Sequence, residues 1–88
     1  MNVEFRKTFE KDLKKIQDKS LLDKIKAAIN TLENATSLDE ITNLKKLKGN
    51  EGYFRVRIGD YRLGLFLDGE TILFVRIIHR REFYRYFP

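Results

Sequence analysis

The strongest constraint on the fold is a change of hydrophobic period about halfway along the 88-residue chain. Residues 53–58 alternate apolar and basic side chains, residues 61–67 resume after Gly59 and Asp60, and residues 71–78 form a third apolar run. A period of two is typical of strands, and a two-residue break containing glycine is typical of a hairpin turn. The second half is therefore predicted to form three antiparallel strands.

The first half carries a helical period instead. A short alternating segment, Asn2–Arg6, predicts a first strand, and apolar residues at helical spacing follow between Phe9 and Ile16. A second apolar stripe begins after Ser20, with Asp23 three positions later as an approximate capping box. Two helices joined this closely predict an antiparallel hairpin.

Two shorter segments connect the helices to the strands. Ser37–Glu40 looks like another helix start and predicts a short helix to about Asn43. Leu44–Gly52 holds Lys46 and Lys48 and is interpreted as a basic loop, which either contacts a substrate or is a solvated linker.

The resulting order, β-α-α-β-β-β, predicts an α+β fold for a single domain of residues 1–88. In it, the short N-terminal strand and the two-helix hairpin pack on a three- to four-stranded, mainly antiparallel sheet. Residues 79–88, dense in arginine and aromatic side chains, are expected to form a short C-terminal helix or an extended tail.

Composition excludes several classes of function. With no Cys and one His, the chain cannot form a thiolate metal site, a Cys nucleophile or a pair of catalytic histidines. No apolar run approaches the roughly 20 residues of a membrane span, and no apolar signal segment is visible, so a cytoplasmic protein without membrane partners is expected. No carboxylate cluster is apparent, and neither a metal nor a cofactor is expected.

The basic residues are unevenly distributed. The net charge is +5, and all ten Lys lie between residues 7 and 48, whereas seven Arg and no Lys follow Gly49. Because guanidinium groups hold phosphate and carboxylate bidentately, this half suits a phosphate-rich partner or an acidic protein.

Strand parity places three of these arginines on one surface, which we call the arginine face. If Gly59–Asp60 is a two-residue turn, Arg57 lies opposite Arg62 and Arg55 lies opposite Gly64. Like charges directly opposite each other are destabilising, so this arrangement makes sense if an anion binds there. A solvated outer face that happens to contain arginines is the alternative.

The second hairpin decides where Arg76 points. A strict two-residue turn at Asp68–Gly69 would put it on the helix-packed face, where an unpaired guanidinium is very costly. A loop of odd length is therefore preferred, because it returns Arg76 to the arginine face. That choice also brings four apolar side chains there, those of Phe66, Ile72, Phe74 and Ile78. The aromatic C-terminus, a partner protein or both would have to cover them.

At these residues the sequence resembles the RelE/ParE toxin superfamily. Tyr53–Leu63 resembles its "YRvRvGdYRv" signature, Leu44–Gly49 resembles the "LkG" loop before it, and His79–Arg85 is similar to its "hR-x-x-x-Y" ending. The resemblance covers the whole chain and implies a RelE-like microbial RNase fold. It also implies a toxin of a type II toxin–antitoxin system, neutralised by a cognate acidic antitoxin.

The superfamily contains two activities. RelE-like toxins are mRNA interferases, endoribonucleases that cleave mRNA on the ribosome and inhibit translation. ParE-like toxins poison DNA gyrase and are not nucleases. A metal-independent RelE-like nuclease, with ribosome, mRNA and antitoxin as partners, is the main expectation, and a gyrase poison or a non-catalytic binding protein with the toxin fold is the alternative.

The RelE-like interpretation implies a set of site residues. Arg55 and Arg57 occupy two basic strand positions, and Arg62 is the phosphate-binding arginine. Arg80 is the C-terminal active-site arginine and Tyr84 the catalytic tyrosine. The tail register is open, so Arg81 and Tyr86 are alternatives for these last two. The expected phosphate- or RNA-binding residues are Arg55, Arg57, Arg62, Arg80, Arg81, Lys46 and Lys48.

One departure from the family pattern concerns the general base. In the best-known branch lysines hold the two strand positions, and one is thought to be the base; here both are arginines, and a guanidinium cannot act as a base near neutral pH. His79 is the first choice for a catalytic base, because imidazole titrates near neutrality, although it could instead cap a strand end. Glu82 is a second candidate, although pairing with a neighbouring arginine is favoured for it. Tyr84 could donate a proton, stack on a base or pack in the core.

Overall fold

The secondary structure consists of five strands and three helices, described for every residue from Met1 to Pro88 in a computed structural model. The strands are β1 (Asn2–Phe5), β2 (Leu44–Lys46), β3 (Tyr53–Ile58), β4 (Tyr61–Asp68) and β5 (Thr71–His79). The helices are α1 (Lys7–Lys14), α2 (Lys19–Asn34) and α3 (Arg80–Tyr86), with a 3₁₀ turn at Leu38–Glu40. None of the helices is both long and apolar enough to cross a membrane.

All five strands belong to one sheet, in the order β1-β5-β4-β3-β2. β1 runs parallel to β5, and the other neighbours are antiparallel. The predicted α+β fold is confirmed, with one strand more than the three to four expected. The expected basic loop is wrong at its start, because Leu44–Lys46 pairs with β3 as an edge strand. Three residues are too few for an alternating pattern to be recognised in a sequence.

Short polar side chains cap the start of α2 and of the 3₁₀ turn, with one correction to the prediction. Asp18, not Ser20, caps α2: its Oδ1 accepts a hydrogen bond from a backbone amide of the first turn at 3.2 Å. The start at Ser37 is confirmed as a capping box, in which Glu40 Oε2 accepts from the Ser37 amide at 2.9 Å. It closes one 3₁₀ turn and not the longer helix expected.

A hydrophobic core fills the space between the helical hairpin and one face of the sheet. Its ten buried members are Phe9, Ile25, Leu32, Val56, Ile58, Leu63, Leu65, Ile72, Phe74 and Ile77. Each such side chain contributes about 1.5–3 kcal/mol when fully buried, so this cluster dominates the stability of the fold. Ile72 and Phe74 were expected on the arginine face, and that prediction is wrong.

The turn between β4 and β5 explains the error. It contains two residues, Gly69 and Glu70, and not the odd number expected. With this register Ile72 and Phe74 share a face with Leu65 and Leu67, toward the helices. A two-residue turn alone would put Arg76 on the helix-packed face. The side of the sheet on which Arg76 lies is instead set by an irregularity further along β5.

That feature is a β-bulge at Val75. The pairs on either side of it are Leu65 with Phe74 and Gly64 with Arg76. Val75 is therefore an extra residue without a partner, and it reverses the parity of the strand beyond it. Arg76 and Ile78 lie on the arginine-face side of the sheet, as predicted, although the turn has the other length.

The arginine face is partly covered by α3, which confirms both the short C-terminal helix and its covering role. Phe83 and Phe87 are buried, with exposed fractions of 0% and 2%. The Phe87 ring lies so close to Gly64 that a Cβ atom there would come within 2.8 Å of it. The Tyr53 ring continues this aromatic layer, 5.5 Å from the Phe87 ring and 4.7 Å from that of Phe66.

Candidate active site on the arginine face

The β3–β4 hairpin positions the central arginines as predicted. Arg57 pairs with Arg62, and Arg55 pairs with Gly64. The turn between the strands has two residues, and Gly59 occupies its first position with φ +58°, a left-handed value that glycine adopts without strain. Three guanidinium groups therefore project from one face next to a position that has no side chain.

Arg62 is the most constrained of the three. Its Nη1 donates hydrogen bonds to the carbonyl oxygens of Gly59 and Tyr61, both at 2.9 Å, which fixes the half-buried guanidinium over the turn. Burial, followed by the positive charges of Arg55 and Arg57, lowers the pKa of Arg62 below its ordinary value. Its charged form is thus under electrostatic stress, which a bound anion would relieve.

Arg55 has an unused donor. Its Nε is buried and has no hydrogen-bond acceptor within the protein. A buried donor without a partner costs about 1–3 kcal/mol. Because this Nε has no accessible surface, a bound anion would meet the other N–H groups of the half-buried Arg55.

Helix α3 brings two further site residues to the same place. The backbone amide of Arg80 donates to the Asp60 carbonyl at 2.8 Å, which fixes the start of the helix beside the hairpin turn. The Arg80 Nε lies 3.9 Å from Asp60 Oδ1 in an exposed ion pair. Tyr84 raises and Arg80 lowers the pKa of Arg62, so both side chains lie within electrostatic range of it. The site therefore unites the β3–β4 hairpin with α3.

The two tail registers that the sequence leaves open differ in where they place the arginine and the tyrosine. Tyr84 is 63% exposed and faces the arginine cluster, whereas the ring of Tyr86 lies 5.8 Å from Arg76 Cζ, outside the cluster. The Arg81 side chain makes no ion pair, and only its backbone amide is engaged, with His79. Arg80 and Tyr84 are thus the residues that the structure brings next to Arg62.

His79 is not brought together with the arginines. It pairs with Tyr61, on the same parity as the core residue Ile77, and both line a cavity at the edge of β5 together with Asp12 of α1. Its Nδ1 accepts a hydrogen bond from the Arg81 amide at 3.1 Å and so caps α3. The sequence left open that His79 caps a strand end, and in the structure it caps the helix that follows the strand. Glu82 lines the same cavity, and it forms no ion pair with an arginine.

The two lysines predicted to bind RNA, Lys46 and Lys48, lie outside the arginine cluster, whereas a lysine that was not predicted lies next to it. Lys46 pairs with Phe54, so it lies on the face of the sheet opposite to the arginine face. Its Nζ lies 3.6 Å from Glu51 Oε1. Lys48 is exposed in the loop after β2. Lys45, in contrast, pairs directly with Arg55. Recognising it requires knowing that Leu44–Lys46 is a strand, for which the sequence gives no usable signal.

Arg76 is occupied elsewhere. Its Nε and Nη2 donate to Asp12 Oδ2 and Oδ1, at 2.7 and 3.0 Å, and these bonds raise its pKa. Asp12 is 6% exposed and also accepts from the Ile77 amide at 3.1 Å. β1 pairs with β5 only as far as Phe74, and beyond that point the Asp12 carboxylate accepts the hydrogen bond of the β5 amide at Ile77. Arg76 therefore braces α1 against the sheet and is not part of the cluster.

Comparison with known proteins identifies the family. A family model described as the ParE toxin of type II toxin–antitoxin system, parDE, matches residues 3–84. The chain belongs to the RelE/ParE toxin family. Toxin RelE3 of Methanocaldococcus jannaschii is 43% identical over 89 residues, covering 100% of both chains. This protein is accordingly a toxin of the RelE type from a type II toxin–antitoxin system.

Solved structures agree with this assignment. The toxin in the RelB–RelE antitoxin–toxin complex from Methanococcus jannaschii is 42% identical, with a TM-score of 0.81 over 96% of this chain and 98% of that chain. The YoeB dimer from Staphylococcus aureus is 26% identical, with a TM-score of 0.73 over 91% and 97%. The overall fold of this chain is therefore that of a toxin of this family.

Proposed function

We propose that this toxin is an mRNA interferase, a cytoplasmic endoribonuclease that cleaves mRNA on the ribosome without a metal ion and thereby inhibits translation. The observation that carries the proposal is the grouping of Arg55, Arg57 and Arg62 on one face of the β3–β4 hairpin, with α3, which carries Arg80 and the exposed Tyr84, fixed beside the hairpin turn. A cluster of like charges with no counter-ion among its three strand arginines is stabilised by a polyanion such as an RNA backbone.

The reaction would use the RNA's own nucleophile. The 2′-oxygen attacks the adjacent phosphorus, the bond from phosphorus to the 5′-oxygen breaks, and the products carry a 2′,3′-cyclic phosphate and a 5′-hydroxyl. Negative charge builds on the phosphoryl oxygens on the way. Because Arg62 is already fixed by the carbonyls of Gly59 and Tyr61, its remaining N–H groups can meet that charge without reorganisation.

Proton transfer is the smaller part of this mechanism. The arginines cannot accept the proton of the 2′-hydroxyl, because a guanidinium stays protonated in proteins, so this proton passes to water, and water later returns a proton to the group that protonates the leaving 5′-oxygen. Tyr84, exposed on α3 and within electrostatic range of Arg62, is our candidate for the proton donor to the leaving 5′-oxygen. A single acid or base contributes about 100- to 10,000-fold, so positioning and charge stabilisation would carry the rest.

A cognate antitoxin is proposed to silence the toxin. The RelB–RelE structure is an antitoxin–toxin complex, and this chain has a net charge of +5. An acidic antitoxin segment that covers the arginine face or displaces α3 would separate Tyr84 from Arg62. A complex that leaves both the arginine face and α3 free and undisturbed would refute this mechanism of inhibition.

A DNA gyrase poison is the second candidate, favoured by the match to the ParE family model and by arginines at strand positions that hold lysines in the better-known nucleases. Two assays separate the candidates: mapping of mRNA ends during in vitro translation, and supercoiling by purified gyrase. We expect wild-type toxin to generate new mRNA ends and to leave gyrase unaffected.

The matched variants are Arg62→Ala and Arg6→Ala, which each remove one exposed or half-buried arginine, the second outside the arginine face. Arg62→Ala should abolish cleavage and growth arrest while leaving the fold intact, since the loss of its two hydrogen bonds is offset in part by relief of the repulsion from Arg55 and Arg57. Arg6→Ala should remain toxic. Growth arrest by Arg62→Ala equal to that of wild type would show that this face is not the active site, and gyrase inhibition without new mRNA ends would select the second candidate.

A further inference from the structure

Strand β2 adds one more cation to the arginine face. Lys45 is directly opposite Arg55, and Arg55 is directly opposite Gly64. Directly opposite residues lie on the same face with their Cβ atoms about 4.5–5.5 Å apart. A row of three positions therefore crosses β2, β3 and β4 next to the pair formed by Arg57 and Arg62.

The three cations nearest this edge enclose an open cleft. Lys45, Arg55 and Arg57 line a cavity of about 260 Å³, together with residues 42–44. None of the three has a carboxylate within ion-pair distance, whereas Lys46 on the other parity is paired with Glu51. Like charges facing each other across strands are destabilising, so this edge of the face also favours an anion.

We propose that Lys45 is a substrate-binding residue, which holds the RNA backbone at a phosphate next to the one that Arg57 and Arg62 grip. This inference rests on the proposed nuclease function. The RNA strand then crosses the sheet from Tyr84 on α3, over β4 and β3, to β2. Lys45 and Arg62 are separated by two strand spacings, about 10 Å, so they contact different phosphates.

The chemistry of the side chain assigns Lys45 to binding and not to catalysis. An ammonium group is a point charge on a flexible stem, suited to a phosphate whose geometry does not change, while the planar guanidinium groups meet the reacting phosphate. An interaction that is equal in the ground and transition states lowers KM and leaves kcat unchanged. Lys45→Ala should therefore raise KM for cleavage and keep kcat.

The direct test measures binding of a single-stranded oligoribonucleotide whose 2′-oxygens are methylated, so that it cannot be cleaved. Fluorescence anisotropy gives the affinity at several salt concentrations. Each phosphate neutralised on a single strand contributes about −0.7 to the slope of log affinity against log salt. Lys45→Ala should reduce the slope by about 0.7 and weaken binding about two- to fivefold, as expected for an exposed ion pair.

Two controls accompany this variant. Lys26→Ala removes the same charge from an exposed position on α2 and should retain the wild-type slope. Lys45→Arg keeps the charge and should bind as the wild type does even if Lys45→Ala is less stable. If Lys45→Ala matches Lys26→Ala in slope and affinity while wild type cleaves mRNA, the Lys45 assignment is overturned and the nuclease stands. If wild type neither binds the oligonucleotide nor cleaves mRNA, both are overturned.

Discussion

The close approach of Phe87 to Gly64 allows the docking of α3 to be tested by a double-mutant cycle. A Cβ atom at Gly64 would lie 2.8 Å from two ring atoms of Phe87 and 2.9 Å from a third. Since non-bonded carbon atoms prefer about 3.5–4.0 Å, the ring would have to move by about 0.7 Å or more. The ring is 2% exposed and packs against Phe83 at 5.0 Å, so it has little room to do so.

Gly64→Ala is therefore expected to destabilise the protein by about 1–3 kcal/mol, the usual range for overpacking. Phe87→Ala should cost about 3–5 kcal/mol through loss of a buried ring. In the double variant the alanine at 64 meets no ring, and replacing a glycine within a strand is then neutral or slightly favourable. The two changes should thus couple by about 1–3 kcal/mol, as measured by urea unfolding of all four proteins.

The same cycle has a functional readout. Gly64→Ala should lower cleavage more than its stability predicts, because displacing Phe87 moves the helix that carries Arg80 and Tyr84 away from Arg62. If the effects of Gly64→Ala and Phe87→Ala on the free energy of unfolding are additive, the Phe87 ring does not pack against Gly64 as described. If Gly64→Ala cleaves at the wild-type rate despite its lower stability, the position of α3 does not limit the reaction.

Three further predictions concern side chains around the core and the helix starts. His79→Ala should destabilise the protein by about 0.5–2 kcal/mol through loss of the α3 cap, while His79→Asn restores a capping acceptor and keeps the wild-type cleavage rate; a loss of about 100-fold in the Asn variant would instead identify His79 as the base. Asp12→Ala should cost about 3–5 kcal/mol in urea unfolding because it leaves the Arg76 guanidinium and a β5 amide without an acceptor, and an unchanged midpoint would show that this pair does not brace α1. Hydrogen bonds from the Thr36 hydroxyl and from two amides lower the pKa of Glu40, so its contribution to stability is present above the ordinary carboxyl pKa and is lost as pH falls through the lower folded value. The Glu40→Gln variant should therefore melt at a lower temperature than the wild type near neutral pH, and the gap between the two melting temperatures should shrink as the solution becomes acidic. A gap that does not change with pH would contradict this assignment.

The part of the site that could be predicted from sequence is the part governed by local geometry. The positions of Arg55, Arg57 and Arg62 follow from a period of two and a two-residue turn, both of which act over neighbouring residues. The apolar and aromatic character of residues 79–88 likewise predicted a covering segment. Local rules were sufficient because the β3–β4 hairpin contains no irregularity.

Features that depend on distant parts of the chain could not be predicted. The bulge at Val75 lies between the part of β5 that packs into the core and the part that binds the Asp12 carboxylate. Asp12 lies on α1, far away in the sequence, so the residues around the turn give no sign of the bulge. Strand β2 is stabilised by β3 and not by its own composition, so Lys45 was overlooked. The sequence favours His79 as a base because imidazole titrates near neutrality. Its role as a cap depends on the position of the Arg81 amide, which is fixed only once α3 has formed.

The parallel pairing of the N-terminal strand with β5 has a consequence for when the toxin becomes harmful. Asn2 pairs with Thr71, so β1 has no partner while the residues after 70 are inside the ribosomal exit tunnel. The core at that stage lacks Ile72, Phe74 and Ile77, and the aromatic seal of Phe87 is still missing. Ribosome-stalled chains of increasing length should become resistant to limited proteolysis only once Phe87 has emerged, and early resistance would contradict this order. A nascent toxin is thus expected to acquire its arginine face only after Phe87 has left the exit tunnel.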